Sequence, residues 1–407
     1  MKAQLIAIAK RVWASEKWRS VALVFVVCKV VAPLLVFLTM VTLWNAHLNV
    51  NVPSPSTFSP FIMWLKWDGF HYVDLVQRFN YFQSLTPGEH SLIAQAAAGG
   101  HFNVPSSLHR FTWAPLYPVL GKLMSFVTFG HPLVALLLVA NIGFIACLAL
   151  VYDLTRLVMP QAAARDSVVL LALAPTGFVL QSALSESVFL ALALGCFVLA
   201  EQRRWGWVVP LAAALALTRS FGFLIAPALL LVLLGQHGWR FRRDDVVAYA
   251  KALPALAAAP LAWGAFMAYC KIMTGDWLAY NHLQAAGWYA TLHEPLQWVA
   301  ALFRYRGLVS VKAWFVLAAI VLLALAVRRL SPGYWFFGFM LLILPLATGS
   351  WDQSIMRYLV VLFPIVLVGV DFVGRHPRWR LVLFSVLGAT EAVLLVVWQL
   401  LVPRLVV

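Results

Sequence analysis

The run Val21-Ala-Leu-Val-Phe-Val-Val-Cys-Lys-Val-Val-Ala-Pro-Leu-Leu-Val-Phe-Leu-Thr-Met-Val-Thr-Leu-Trp44 decides the fold. It exceeds the roughly 20 apolar residues that carry a helix across a bilayer, and Lys29 is its sole charge. Residues 131–152 and 379–402 read the same way. Of 407 residues, 63% are hydrophobic and 11% charged, with a mean hydropathy of +0.87. That composition excludes an ordinary soluble domain. The short alternating strands of a membrane barrel do not occur, so the chain is expected to be an all-α polytopic membrane protein.

The formal charge of +15 sits largely in short turns between apolar segments. Such placement records membrane orientation, so the charge implies membrane lipids as neighbours and no nucleic acid partner. The basic cluster Lys10, Arg11, Lys17 and Arg19 resembles the start of a signal sequence. Its apolar stretch is too long and lacks a small-residue cleavage site, so it is read as a retained transmembrane helix. Cys28, Cys147, Cys196 and Cys270 all fall inside apolar spans, which suits core packing and not a disulfide framework.

Length and apolarity give about eleven crossings: 21–44, 131–152, 167–184, 187–200, 206–218, 221–235, 252–273, 308–327, 333–348, 357–373 and 379–402. With the N-terminus inside, thirteen Lys and Arg downstream of Gly130 fall on the cytoplasmic side, in the turns from Arg156/Arg165 to Arg375/Arg378/Arg380. The other side keeps seven: Arg219, Lys271, Arg304, Arg306, Lys312, Arg357 and Arg404. Counting residues 112–130 as a twelfth crossing would invert this bias. That segment, with Pro115, Pro118 and Lys122, is instead read as an interfacial or re-entrant helix on the outer face.

The expected organisation is therefore one integral-membrane domain over residues 1–407. Its first extracytoplasmic loop is 45–130 and its second is 274–306. Asn51-Val-Pro-Ser-Pro-Ser-Thr57 reads as a turn-rich connector, and residues 94–100 as a loop tip. The Ala-, Leu- and Val-rich, Arg-over-Lys composition looks bacterial, which places the chain in a cytoplasmic membrane with its chemistry on the extracytoplasmic face.

Seven of fifteen acidic residues lie in the expected outer loops: Asp68, Asp74, Glu89, Glu186, Asp276, Glu294 and Asp352. A general base is sought among them. If residues 66–78 are helical, Asp68 shares a face with His71, Tyr72 and Leu75, while Asp74 meets Arg78 at i,i+4. Asp74 has a local partner and Asp68 has none. A helix cap or an Asp-Gly turn also accounts for Asp68, and packing among aromatics accounts for His71.

Glu186 stands at a tight outer turn, where it is either functional or the first-turn acid of a Ser-capped helix. Arg219 and Arg357 occupy other outer turns. They can snorkel to headgroups, or bind a phosphate with two donors each. Asp276 is placed to cap a helix carrying Tyr280, Asn281, His282 and Gln284, a mixture that suits a sugar or an interfacial belt. Lys29 and Glu391 lie inside spans and either pair or touch a headgroup.

Five ordered segments then carry a resemblance: Trp67-Asp-Gly-Phe-His-Tyr72; Phe111-Thr-Trp-Ala-Pro-Leu-Tyr-Pro118; Ser185-Glu-Ser-Val-Phe-Leu190 with Leu217-Thr-Arg-Ser-Phe-Gly222; Thr274-Gly-Asp-Trp-Leu-Ala-Tyr-Asn-His-Leu-Gln284; and Met356-Arg-Tyr-Leu-Val-Val-Leu-Phe-Pro364. Together they resemble the PIG-V (GPI mannosyltransferase II) family of GT-C membrane glycosyltransferases. The resemblance implies a GT-C-type bundle with outer-face amphipathic helices in the first loop. It implies an inverting mannosyltransferase that moves a sugar from a polyprenyl-phosphate donor to a glycolipid or glycan acceptor. Asp68 is then the catalytic residue.

Candidate substrate-binding residues are Trp67, His71, Tyr117, Lys122, Glu186, Arg219, Asp276, His282, Gln284, Arg357 and Tyr358. No metal cluster is read and no cofactor is assigned, with a divalent metal bridged by Asp68 and phosphate left open. The rival reading is a secondary transporter or flippase of lipid-linked sugars. Such proteins gather ionisable residues near the midplane, whereas here they favour the outer surface.

Overall fold

The computed structural model describes residues 14–46, 54–159, 163–292, 296–304, 307–348 and 351–401. Lys10, Arg11, Asn51, Glu294, Arg306 and Arg404 lie outside the described residues, as do the side chains of Arg304 and Asp352. Among the described residues the secondary structure is helical, apart from one isolated bridge between Leu292 and Thr348. The protein is an all-α integral membrane protein. Four helices are long and apolar enough to cross a membrane, and shorter apolar helices accompany them.

In chain order, α1 is Glu16–Asn45, α2 Asp68–Arg78, α3 Pro87–Ala97, α4 Leu116–Ser125, α5 Pro132–Val158 and α6 Ala164–Ala172. Then come α7 Glu186–Glu201, α8 Trp205–Thr218, α9 Ile225–Gln236, α10 Arg243–Thr274, α11 Ala279–Trp288 and α12 Gln297–Arg304. The chain closes with α13 Leu308–Ala326, α14 Pro332–Ala347, α15 Trp351–Leu359, α16 Phe363–Arg375 and α17 Arg380–Val396.

Ion pairs mark one end of the bundle. Lys17 meets Asp153 at 2.5 Å, Arg165 meets Glu16 at 3.5 Å, Arg380 meets Asp166 at 2.5 Å and Arg329 meets Asp371 at 2.7 Å. Asp68, Glu186, Arg219 and Arg357 form a separate ion-pair cluster. The core between is apolar and aromatic. Phe197 alone packs on Tyr334, Phe337 and Phe363 with ring centroids 5.0, 5.6 and 5.2 Å away.

Two expected spans are broken, and proline explains both. Residues 167–184 do not form one helix: α6 ends at Ala172 and a 3-10 turn follows at Gly177–Gln181. Pro175 has no N–H to continue the ladder, and a Cβ on Gly177 would lie 2.3 Å from the Ala172 carbonyl oxygen. Residues 357–373 divide between α15 and α16, because Pro364 lies in the first turn of α16 and cannot donate back to Val360. Residues 252–273 extend instead to α10, so Arg243 and Lys251 lie on a helix and not in a turn.

The long loop after α1 is largely helical. Thr86 and Glu89 form a capping box that starts α3, with Glu89 Oε2 accepting from Thr86 N at 2.8 Å. Residues 94–97, expected as a loop tip, are the last turn of that helix. α4 has 10 residues, about 15 Å of rise, which is half a hydrocarbon core and no crossing. Gly121 lets it approach closely, since a Cβ there would lie 2.6 Å from Leu136 and 2.8 Å from Val76. Just past its end, Phe126 and Phe129 are exposed. A second apolar cluster, including Ile93, Leu108, Phe111, Phe266 and Leu283, fastens this loop to α10 and α11.

Lys29 does not pair with Glu391. Its Nζ lies over the Trp64 ring at 5.2 Å and the Phe25 ring at 5.7 Å.

Candidate active site

Asp68 opens α2, and the segment before it is clipped to the start of α7. Ala183 N donates to the Trp64 carbonyl at 3.0 Å, and Gly69 lies where a Cβ would meet the Ala183 carbonyl at 3.2 Å. Trp67 takes the left-handed region at φ 45°, a strained conformation for a bulky residue. This clip brings Asp68 beside Glu186, far away in the sequence.

Two guanidiniums complete the cluster. Arg219, in extended backbone at the end of α8, places Nη1 2.6 Å from Glu186 Oε1 and donates to Ser185 Oγ at 3.3 Å. Arg357, in the last turn of α15, places Nη2 2.9 Å from Asp68 Oδ2 and Nε 3.7 Å from Glu186 Oε1. Its Nη2 also donates to Ser354 Oγ at 3.0 Å, and Thr176 Oγ1 fixes α15 by donating to the Met356 carbonyl at 2.9 Å. The Arg219 guanidinium lies 4.9 Å from the centre of the Tyr358 ring.

The two carboxylates and two guanidiniums balance in charge but not in position. Glu186 is 1% exposed and lies behind the arginines, whereas a quarter of the Asp68 side chain remains accessible. Burial alone would raise the Asp68 carboxyl. The charge and hydrogen bond of Arg357, aided by Arg219, outweigh that and hold it below the usual range. Burial opposes the charge on both arginines, yet Glu186 holds Arg219 charged, and Asp68 with Glu186 holds Arg357 charged.

These residues open on a cavity of about 320 Å³, within the size range of small-molecule sites. Of the catalytic and substrate-binding candidates, Asp68, Arg219, Gln284, Arg357 and Tyr358 line it, together with Tyr280 and Asn281 of the same sugar-suited segment. Gln284 is held by donating Nε2 to the Thr112 carbonyl at 2.5 Å.

Seven others do not line it. Glu186 stands behind the arginines. Trp67 is exposed, and Lys122 lies over the Phe79 ring at 5.6 Å. Tyr117 is fully buried, donating its hydroxyl to the Leu136 carbonyl at 3.1 Å. Asp276 and His282 satisfy each other at 2.7 Å, and Asp276 Oδ1 also accepts from Leu278 N. His71 backs the wall by stacking on Trp113 at 4.4 Å.

The cavity also draws in Tyr72, Trp113, Trp263 and Trp288, none of them chosen from the sequence. Trp288 follows Gln284 by four positions on α11, a helical repeat that could have found it. Among the described residues, no three His, Cys, Asp or Glu side chains stand together as a metal site.

No family model matches the sequence, and no curated protein matches it either. Among solved structures, ArnT from Cupriavidus metallidurans bound to undecaprenyl phosphate superposes with TM-score 0.52 at 13% identity, covering 81% of this chain and 62% of that one. The fold is of the GT-C type. The Archaeoglobus fulgidus oligosaccharyltransferase in its apo form gives TM-score 0.45 at 16% identity, over 97% of this chain and 56% of that one. The chain thus spans less than two thirds of the length of either GT-C neighbour. At these identities the likeness is one of fold.

Proposed function

We propose that the chain is an inverting glycosyltransferase, with Asp68 as general base and a polyprenyl-phosphate sugar as donor. The observation that carries this reading is one accessible carboxylate beside two charged guanidiniums at the cavity wall, that of Arg357 buried and that of Arg219 partly so. The GT-C fold and the undecaprenyl phosphate held by ArnT support the donor class. The ordered PIG-V-like segments support mannose as the sugar, and a glycolipid or glycan as the acceptor.

In the proposed displacement, the acceptor oxygen attacks C1 while its proton passes to Asp68. The bond from C1 to the phosphate oxygen breaks with its electron pair going to phosphate. Polyprenyl phosphate therefore gains one negative charge as it leaves. Arg219 and Arg357 face that charge, and each can bind two of its oxygens.

Arg357 has two rival anions in this scheme. While it pairs with Asp68 it weakens the base. A donor phosphate that draws the guanidinium away raises the basicity of Asp68 where proton transfer is needed. The test is transfer of labelled mannose from undecaprenyl phosphate mannose by the full chain in proteoliposomes. Asp68→Asn should cut product formation about 10²- to 10⁴-fold with the protein still inserted. Wild-type turnover by that variant would remove Asp68 as the base, and labelled lipid crossing the bilayer without any product would support a flippase.

A further inference from the structure

Past the charged cluster the cavity meets a wall that carries no charge. Tyr280, Gln284 and Trp288 recur at four-residue spacing on α11 and so share one face, with Asn281 beside them. From Tyr280 to Trp288 the helix rises about 12 Å. Tyr280 marks the charged end, where Arg219 and Ser220 line the same cavity.

Trp288 marks the other end. Its ring meets Trp113 edge-on at 4.9 Å, and Trp113 stacks on His71, one turn after Asp68 on α2. Asp68, Arg357 and both indoles thus line one cavity. Burial lowers both neighbouring imidazoles, His71 and His109, the latter to about 4, so they back the indoles as neutral rings.

We propose that this wall is the acceptor subsite, and that it takes an uncharged, hydroxyl-rich pyranose ring against Trp288. The inference rests on the glycosyl-transfer reading and names the acceptor class. An indole face covers the C–H face of a sugar ring, while the Asn281 and Gln284 amides both donate and accept, as sugar hydroxyls require. A carboxylated or phosphorylated ring meets no cation on this wall, and its desolvation is not offset. The placement also gives the displacement its geometry. Phosphate leaves toward the arginines and the acceptor oxygen enters from the indole side, with Asp68 lining the same cavity.

The test uses the full chain in nanodiscs saturated with undecaprenyl phosphate, read by saturation-transfer NMR on methyl mannopyranoside, methyl glucopyranoside and the charged methyl glucuronide. The ring protons of the two neutral glycosides should receive saturation, and those of the glucuronide should not. Trp288→Leu should weaken neutral glycoside binding tenfold or more and leave undecaprenyl phosphate affinity within twofold. Asn281→Leu, at an exposed position, should weaken it in the same sense and covers the case in which the Trp288 variant does not fold.

Wild-type glycoside binding by both variants would overturn the proposal, as would equal binding of the glucuronide. Turnover separates the two possible sources of the ring. With undecaprenyl phosphate mannose as donor, Trp288→Leu should raise KM for the acceptor tenfold, and a rise confined to the donor KM would overturn the acceptor assignment. A wild type that binds the neutral glycosides but never undecaprenyl phosphate would sink the transferase reading and leave the pyranose site standing.

Discussion

Asp68 and Asp276 each stand at the entrance to a short helix in a loop, and each has a histidine a few residues on. Their fates differ. Asp276, in the turn before α11, accepts from the Leu278 amide and bonds to its own His282, so both of its oxygens are occupied within six residues of chain. Asp68 finds no partner in its own helix and is held instead by Arg357, nearly three hundred residues away. A carboxylate satisfied locally builds structure. One held by a distant cation, at a cavity wall, can give that cation up to a ligand.

The largest expected effect breaks this comparison most directly. Asp68→Asn should reduce transfer by about 10²- to 10⁴-fold, the usual contribution of a positioned base, while Asp276→Asn keeps its turnover. Equal losses in the two variants would remove the distinction. Next, Glu186→Gln leaves two guanidiniums buried without their shared anion and should destabilise the protein by about 3–5 kcal/mol. Denaturation of the purified variant would measure it, and an unchanged midpoint would show that Glu186 is not what holds the arginines.

The pH profile sharpens the comparison further. The pKa of Asp68 is depressed by Arg357, so its ion pair is fully present above the ordinary carboxylate value of 3.8 and is lost as pH falls through the lowered value. The acid limb of kcat/KM, which reports the free enzyme, should therefore lie below that value. If donor phosphate draws Arg357 away, the limb of kcat should sit at higher pH. Coincident limbs would mean that Arg357 stays on Asp68 throughout.

Two smaller effects serve as controls. Asp276→Ala, which removes the acceptor of the Leu278 amide and of His282, should cost about 1 kcal/mol of stability. Arg78→Ala, which removes the exposed partner of Asp74 at 2.7 Å, should cost about 0.3–0.5 kcal/mol.

Much of the bundle was legible from hydropathy, because a helix in a bilayer needs a long apolar run whatever its neighbours are. The breaks at Pro175 and Pro364 were also written in the sequence, yet apolarity on both sides of each proline masked them. The local pair Asp74–Arg78 followed from spacing alone. Glu186 and His282, singled out by residue type, are each held by other protein groups and stand outside the cavity lining. The omission of Trp113 and Trp263 has the opposite origin, since tryptophan at a membrane interface is too common to single out.

By itself, the sequence determined that this chain is an all-α polytopic membrane protein with few acidic residues. It also singled out Asp68, since no Lys or Arg lies three or four residues from it. Only the tertiary structure decided that Arg357, Arg219 and Glu186 converge there, and that a wall of indoles and amides completes the cavity. The reason is physical. Apolar periodicity acts over a few residues, whereas an ion pair between distant segments depends on how whole helices and broken turns pack.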